Sequence, residues 1–356
     1  MSLNLVSAAT AAADLGAFDA IIDARSPGEF AEDHLPGAVN WPVLDDAQRR
    51  EVGTLYKQVS ALEARKRGAA LVARNIAAHV EREAQHLPRE WKPLVYCWRG
   101  GQRSGSLAWF LGQIGFRTAQ LQGGYKGFRA IVRTELDALP AGLPFRVLTG
   151  RTGSGKTRLL QALAAQGAQV LDLEGLACHR GSILGGLPGQ PQPTQKRFDT
   201  LVWQALRGFN SARQVFVESE SARIGRLTVP PALLDHMRRS GQLLQVQMDD
   251  AARLALLQAD YAFFAADPEA FCQLLQGLVE LRGGATVQHW QALARAGQWA
   301  QVFGELMVLH YDPLYTRSLQ RSYAGLDSAP TVDLGDGGAA ALARAARELL
   351  DAAPAR

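Results

Sequence analysis

Phe145-Arg146-Val147-Leu148-Thr149 runs directly into Gly150-Arg151-Thr152-Gly153-Ser154-Gly155-Lys156-Thr157, after which Leu159, Leu160 and Leu163 recur at helical spacing. A short apolar strand, a glycine-rich turn and an amphipathic helix in that order specify a parallel α/β unit. The turn matches the phosphate-loop pattern G-x4-G-K-[ST] in the strand-to-helix context that the pattern requires. Gly150, Gly153 and Gly155 free the backbone, so that N–H groups, including those of Thr152 and Ser154, form a cradle for a diphosphate or a nucleotide. Lys156 adds a movable positive charge, and the Thr157 hydroxyl is a ligand for Mg2+.

Working outward, Gln169 to Leu173, Gln214 to Glu218, Leu243 to Met248 and Thr331 to Leu334 read as further strands of a mainly parallel sheet. Glu218 closes an apolar run and is the expected second magnesium-orienting acid, with Glu220 competing for the role. Asp250 to Phe264, Phe271 to Leu281 and Trp290 to His310 read as helices, Asp312-Pro313 as a break, and the alanine-rich C-terminal stretch as a last helix. Glu174 to Ser182 leads into a Gly-, Pro- and Gln-rich loop, where His179 and Arg180 are candidate substrate contacts. Between Arg180 and Arg226 seven basic residues face three acids. Phe198, Trp203 and Phe209 in that segment serve either to stack RNA bases or to fill a core.

Upstream, Tyr96-Cys97-Trp98-Arg99-Gly100-Gly101-Gln102-Arg103-Ser104 repeats the strand, loop and helix order around a cysteine. Leu94-Val95-Tyr96 is the strand, and Leu107, Ala108, Leu111 and Ile114 mark a helix that Gly115 stops. Such a turn favours a thiolate at Cys97, and Arg99, Gly100, Gly101 and Arg103 supply donors for an anion. The bland reading is a buried structural cysteine. Before it, Phe18 to Arg25 reads as a strand and Ser26-Pro27 as a helix start. Residues 45–90 form a helical insertion marked by Leu55, Val59 and Leu62, then Leu71, Val72, Ile76 and Val80. Its Arg65-Lys66-Arg67 and Arg74 are either a solvated face or an RNA contact.

The chain has 356 residues, too many for one ordinary core, and divides on this reading into residues 1–139, a linker at 140–144, and residues 145–356. Hydrophobic residues make up 47% with no run near the roughly 18 to 20 that a membrane helix needs, so no membrane partner is expected. The N-terminal stretch lacks a basic region and an apolar signal core, which points to the cytoplasm. Three scattered cysteines argue against a disulfide framework or a zinc site. Lys and Arg exceed Asp and Glu by only 38 to 34, a bias that permits nucleic acid without demanding it.

Asp23-x-Arg25-x3-Glu29-Phe30-x3-His34-Leu35-Pro36-Gly37-Ala38-x-Asn40 resembles the N-terminal signature of rhodanese-type sulfurtransferase domains, and Cys97 falls at the position of their persulfide-carrying cysteine. Cys97 to Arg103 is Cys-x5-Arg, one residue longer than the usual sulfurtransferase loop and similar to that of rhodanese-fold phosphatases. The resemblance extends further when Arg65-Lys66-Arg67-Gly68-Ala69-Ala70-Leu71-Val72-Ala73-Arg74-Asn75, the phosphate loop, Leu173 to Ser182 and Tyr311-Asp312-Pro313-Leu314-Tyr315 are added. Together they resemble the tRNA 2-selenouridine synthase family over nearly the whole chain. That resemblance implies a rhodanese-like α/β domain with a helical insertion, followed by a P-loop α/β domain with helical C-terminal additions.

It also implies a transferase acting on tRNA that carries 2-thiouridine at the wobble position. S-geranylation from geranyl diphosphate would come first, and selenium from selenophosphate would then replace the geranylthio group. On this expectation Lys156, Thr157 and Mg2+ near Glu218 stabilise the diphosphate leaving group, and ATP is not required. Cys97 is nucleophile and selenium carrier, with Arg99, Arg103 and the backbone of Gly100 and Gly101 holding the anion. The alternatives are an ATP-dependent tRNA sulfurtransferase and a non-catalytic RNA-binding protein with a rhodanese-like regulatory domain.

Overall fold

Short runs of apolar residues pair into two separate five-stranded sheets in the computed structural model, which describes residues 4–352. The chain separates into two compact units. The first extends to Glu135 and includes Thr194–Gln204, while the second comprises Leu136–Pro193 and the chain from Ala205 onward.

In the first unit β1 (Asn4–Val6), β2 (Ala20–Asp23), β3 (Ala38–Asn40), β4 (Pro93–Tyr96) and β5 (Ala119–Leu121) form a wholly parallel sheet in the order β1-β5-β4-β2-β3. All four residues of β4 are buried, as expected of a central parallel strand covered on both faces. Helices α1 (Ala8–Ala13), α2 (Pro27–Glu32), α3 (Asp46–Gln58), α4 (Ala61–His79), α5 (Gln102–Ile114) and α6 (Gly124–Ala138) complete the unit. Helix α2 starts as the sequence predicts, with Pro27 in its first turn and a capping box between Ser26 and Glu29. The Gly115 stop is also present, as a left-handed C-cap of α5.

The helical insertion is the α3–α4 hairpin, and α4 runs on as a π-helical turn over Val80–Ala84. Leu71 and Ile76 are buried, but Val59 and Leu62 are exposed, against the expected stripe. They flank the turn between the two helices, beyond the stretch of α4 that reaches the core. Ile22, Val95, Leu107, Leu111 and Trp91 make that core, and Cys97 belongs to it. Phe198 and Trp203, from the segment Thr194–Gln204, are buried at 0% and 2% exposure, which settles their role as packing rather than base stacking. Trp203 meets Phe128 edge-on at 5.2 Å between centroids.

In the second unit β6 (Phe145–Thr149), β7 (Gln169–Leu171), β8 (Val215–Glu218), β11 (Gln242–Gln247) and β12 (Thr331–Asp333) form the second parallel sheet, in the order β12-β11-β6-β8-β7. A two-residue-per-strand hairpin, β9 (Arg223–Ile224) with β10 (Leu227–Thr228), stands apart. Around the sheet lie α7 (Lys156–Ala165), α8 (Leu173–Ala177), α9 (Gln195–Gly208, begun in the first unit), α10 (Pro231–Ser240), α11 (Asp250–Asp260) and α17 (Ala339–Asp351). Leu342 and Ala346 of α17 share a core with Leu159 and Leu163 of α7. An all-helical layer follows α11: α12 (Pro268–Leu275), α13 (Val279–Arg282), α14 (Gly284–Arg295), α15 (Trp299–Leu306) and α16 (Asp312–Ser322), with Phe264, Phe271, Trp290 and Phe303 at its centre. Asp312-Pro313 does not break the chain's helical course. A π-helical turn over Met307–Tyr311 leads into α16, and Pro313 sits in its first turn, where the widened π turn accommodates it. No described helix is long and apolar enough to cross a membrane.

Candidate active site

Strand β4 delivers Cys97 to the mouth of a turn that leads into α5. Its side chain is 3% exposed, and the Ser104 hydroxyl, one turn into α5, donates to Cys97 Sγ at 3.1 Å. Gln120 of β5 donates from Nε2 to Ser104 Oγ at 2.9 Å and to the Gly100 carbonyl at 2.8 Å. Ser104 Oγ accepts from Gln120 and has two acceptors for its own proton, Cys97 Sγ and, at 3.4 Å, the Gly101 carbonyl. The Gly123-Gly124 turn backs the loop from behind, with Tyr125 N–H donating to the Cys97 carbonyl at 2.8 Å and Lys126 N–H to that of Trp98 at 2.9 Å. A Cβ at Gly124, whose φ is +55°, would collide with the Cys97 carbonyl oxygen, so only glycine permits this approach.

Arg99 is exposed, whereas Arg103 is ion-paired through Nη1 to Glu29 Oε2 at 2.6 Å. The same carboxylate accepts from Ser26 N at 3.2 Å and pairs with Arg49 at 3.2 Å. Burial works against the charged Glu29 carboxylate, but Arg103 and Arg49 outweigh it and hold its pKa below the usual range. Asp23 and Arg25, the first motif residues, are fully buried and mutually bonded at 2.6 Å, with Arg25 over the Tyr125 ring at 4.0 Å. Their part is to hold strand ends together beneath the loop.

In the second unit the phosphate loop floors a cavity of about 480 Å³. Thr152, Gly153, Ser154, Gly155, Lys156 and Thr157 all line it, and the positive φ of Gly153 and Gly155 turns the loop around it. Lys156 Nζ donates to the Gly150 carbonyl at 2.8 Å and lies 4.9 Å from the Tyr315 ring centre. Burial opposes its charge, yet Tyr315, Glu218, Glu174 and Glu220 raise its pKa. Arg180 reaches the wall, donating to the Asp260 carbonyl and lying over the Tyr261 ring. His179 is not among the wall residues; its Nδ1 accepts from Gly181 N at 3.1 Å within the loop.

Glu218 lies 5% exposed at the end of β8. Two acids join it, the expected competitor Glu220 and the unforeseen Glu174 of α8, with ligand oxygens all within 4.8 Å of one another. Burial and then mutual repulsion push the Glu174 carboxyl up to about 10 and that of Glu220 up to about 8. Glu218 is raised by burial against the pull of Lys156 and a Thr157 hydrogen bond. Magnesium, which the phosphate-loop pattern implies, fits these donors: they are hard oxygens, and the buried Glu218 Oε1 has no hydrogen-bond partner.

The rest of the lining is largely apolar and aromatic. Ile183, Leu256, Leu257, Leu314 and Leu319 belong to it with Tyr261, Tyr311, Tyr315 and Tyr323. Sequence reasoning could not select these positions, because Leu and Tyr at helical spacing serve a core equally well. Only the cavity separates the two uses. The Tyr311-to-Tyr315 string was visible as a motif, and the structure gives it a place on this wall.

Residues 143–283 match the model of the tRNA 2-selenouridine synthase AAA domain, and residues 7–131 match that of the rhodanese-like domain. The chain is 31% identical over 353 residues to the tRNA 2-selenouridine synthase of Shewanella halifaxensis, covering 90% of this chain and 94% of that one. It is 31% identical over 344 residues to that of Hydrogenovibrio crunogenus, covering 88% and 92%. With that of Nitrosomonas europaea it shares 35% over 245 residues, covering 68% of this chain and 63% of that relative's length. A rhodanese-like unit, a phosphate-loop unit of the matching family and full-length similarity at this level place the chain in the tRNA 2-selenouridine synthase family.

Proposed function

We propose that this enzyme converts 2-thiouridine at the tRNA wobble position into 2-selenouridine in two steps, S-geranylation from geranyl diphosphate and then selenation from selenophosphate. The observation that carries the reading is that one cavity is lined both by the phosphate loop and by an apolar, tyrosine-rich set of side chains. A nucleotide site needs a pocket for a polar base, whereas a prenyl diphosphate needs these two surfaces side by side. In the first step the geranyl C1–O bond breaks, diphosphate leaves, and C1 bonds to the thiouridine sulfur, which gives up its proton. Lys156 and the loop N–H groups stabilise the developing negative charge. Thr157 and Glu218 would hold Mg2+, which neutralises diphosphate charge when bound.

In the second step the C2–S bond breaks as C2–Se forms, and geranylthiol leaves. Cys97 is the nucleophile that frees the selenium: its thiolate, which Ser104 stabilises by hydrogen bonding, attacks phosphorus, the P–Se bond breaks to release selenide for C2, and water then cleaves the S–P bond so that phosphate leaves. Arg99 and the backbone of Gly100 and Gly101 receive the anion, with Arg103 exchanging from Glu29. His179 acts from behind the wall by shaping the loop that presents Arg180.

The test is to incubate the protein with thiolated tRNA and geranyl diphosphate, then with selenophosphate, and to follow the nucleoside by mass spectrometry. Lys156→Ala should lower geranylation by at least about a hundredfold. Cys97→Ser should leave geranylation intact and stop selenation. Dependence of product on ATP, with sulfur rather than selenium incorporated, would replace this reading by the sulfurtransferase.

A further inference from the structure

We infer that Glu174, Glu218 and Glu220 bind one hard divalent cation of the magnesium class directly, ahead of and independently of any diphosphate on the loop. In a typical phosphate loop, one hydroxyl and one strand-end acid hold the metal weakly until phosphate oxygens complete its shell. Here three carboxylates converge from α8, from the end of β8 and from the residue two beyond it. Three observations separate this group from an ordinary acidic cluster.

Glu218 is more than nine-tenths buried, and its Oε1, without a hydrogen-bond partner, belongs to a carboxylate at the centre of the group. Gly181, with φ +67°, passes so close that a Cβ there would lie 2.7 Å from Glu174 Oε1 and 3.6 Å from Glu220 Oε2. The loop thus lays backbone rather than a side chain against Glu174 and Glu220. The charges complete the case. Lys156 is the ammonium that faces the group, while Arg180 is turned to the Asp260 carbonyl and the Tyr261 ring. Asp172 acts on the same group, so the ionised acids outnumber Lys156, and a divalent cation supplies positive charge that the protein leaves out. The inference does not depend on which diphosphate, prenyl or nucleotide, later arrives.

The full-length protein, stripped with EDTA, is titrated with MgCl2 and separately with MnCl2 in the absence of pyrophosphate, nucleotide and tRNA. Calorimetry should give a one-site isotherm, and saturation should raise the Tm by about 5 °C. Glu174→Gln and Glu220→Gln should each weaken the metal at least about tenfold. In EDTA both variants should melt within about 1 °C of the parent, so that the difference appears only when metal is added. A merely structural carboxylate would show its loss without metal as well. Asp260→Asn, on the cavity wall but outside the group, should leave the isotherm unchanged. No heat and no Tm shift without pyrophosphate would overturn the inference, as would Glu174→Gln and Glu220→Gln variants that bind metal like the parent.

Discussion

His310 shows how one buried side chain ties the second unit's stability to pH. It lies in the π-helical turn that brings the cavity wall to α16, is 5% exposed, and accepts at Nδ1 from Arg282 Nε at 3.1 Å. Burial first, and the Arg282 charge second, lower its pKa from 6.5 to about 4. The folded state therefore refuses a proton that the unfolded chain accepts between those values. Stability from this group is complete above about pH 6.5 and is lost as pH falls through 4, an effect on the order of 3 kcal/mol. Urea unfolding at pH 7, 5.5 and 4 should show His310→Gln with a flatter acid limb than the parent; parallel limbs would remove the assignment. Nothing in the sequence marks His310, since a histidine in a helical run carries no sign of what will cover it. Cys97, by contrast, was legible because glycines, arginines and a preceding strand all constrain the same short turn. What the turn did not disclose is that Arg103 is held by Glu29. An anion that takes Arg103 must outbid a two-pronged carboxylate, which selects doubly charged ligands over singly charged ones.

Among the elements, the inner strands of both sheets and the two loop-to-helix turns are legible because each has a local cause, β4 being an unbroken apolar run and α2 having its own cap, whereas β1 and the β9–β10 hairpin carry no such signal. The α3–α4 hairpin is legible as a helical insertion from its spacing, although Val59 and Leu62, which follow the same period, are exposed. The turn between β5 and α6 carries no motif of its own, yet its close backbone approach shapes the Cys97 loop. Gly124→Ala should force the turn away from the Cys97 carbonyl, lowering stability by about 2 to 4 kcal/mol, with the φ strain as one part of the cost. The measurement is a denaturant melt paired with the rate of Cys97 alkylation by iodoacetamide. Loss of stability with an unchanged alkylation rate would mean that the turn supports the fold but not the loop.

At the scale of the whole molecule, two sheets announce two units, and both were visible as separate strand-and-helix series. The path of the chain between them was not. Thr194–Gln204 belongs with the first unit although it follows the phosphate loop in sequence. Thr200 donates to the fully buried Asp33 at 2.9 Å, and Asp199 pairs with Arg129 at 2.9 Å. No periodicity reports such a long-range partnership. A fragment of residues 1–139 should accordingly melt below the same fragment joined by a glycine-serine linker to residues 194–208, by about 5 °C or more. Coincident melting curves would show that the segment adds nothing. The arrangement also has a consequence in time. On the ribosome, residues 136–204 take roughly 3 to 14 seconds to make at ordinary rates of synthesis. Throughout that interval the nascent first unit holds Asp33 and the faces of Phe128 and Arg129 without their partners, so the order of synthesis makes this domain wait for its successor before it is finished.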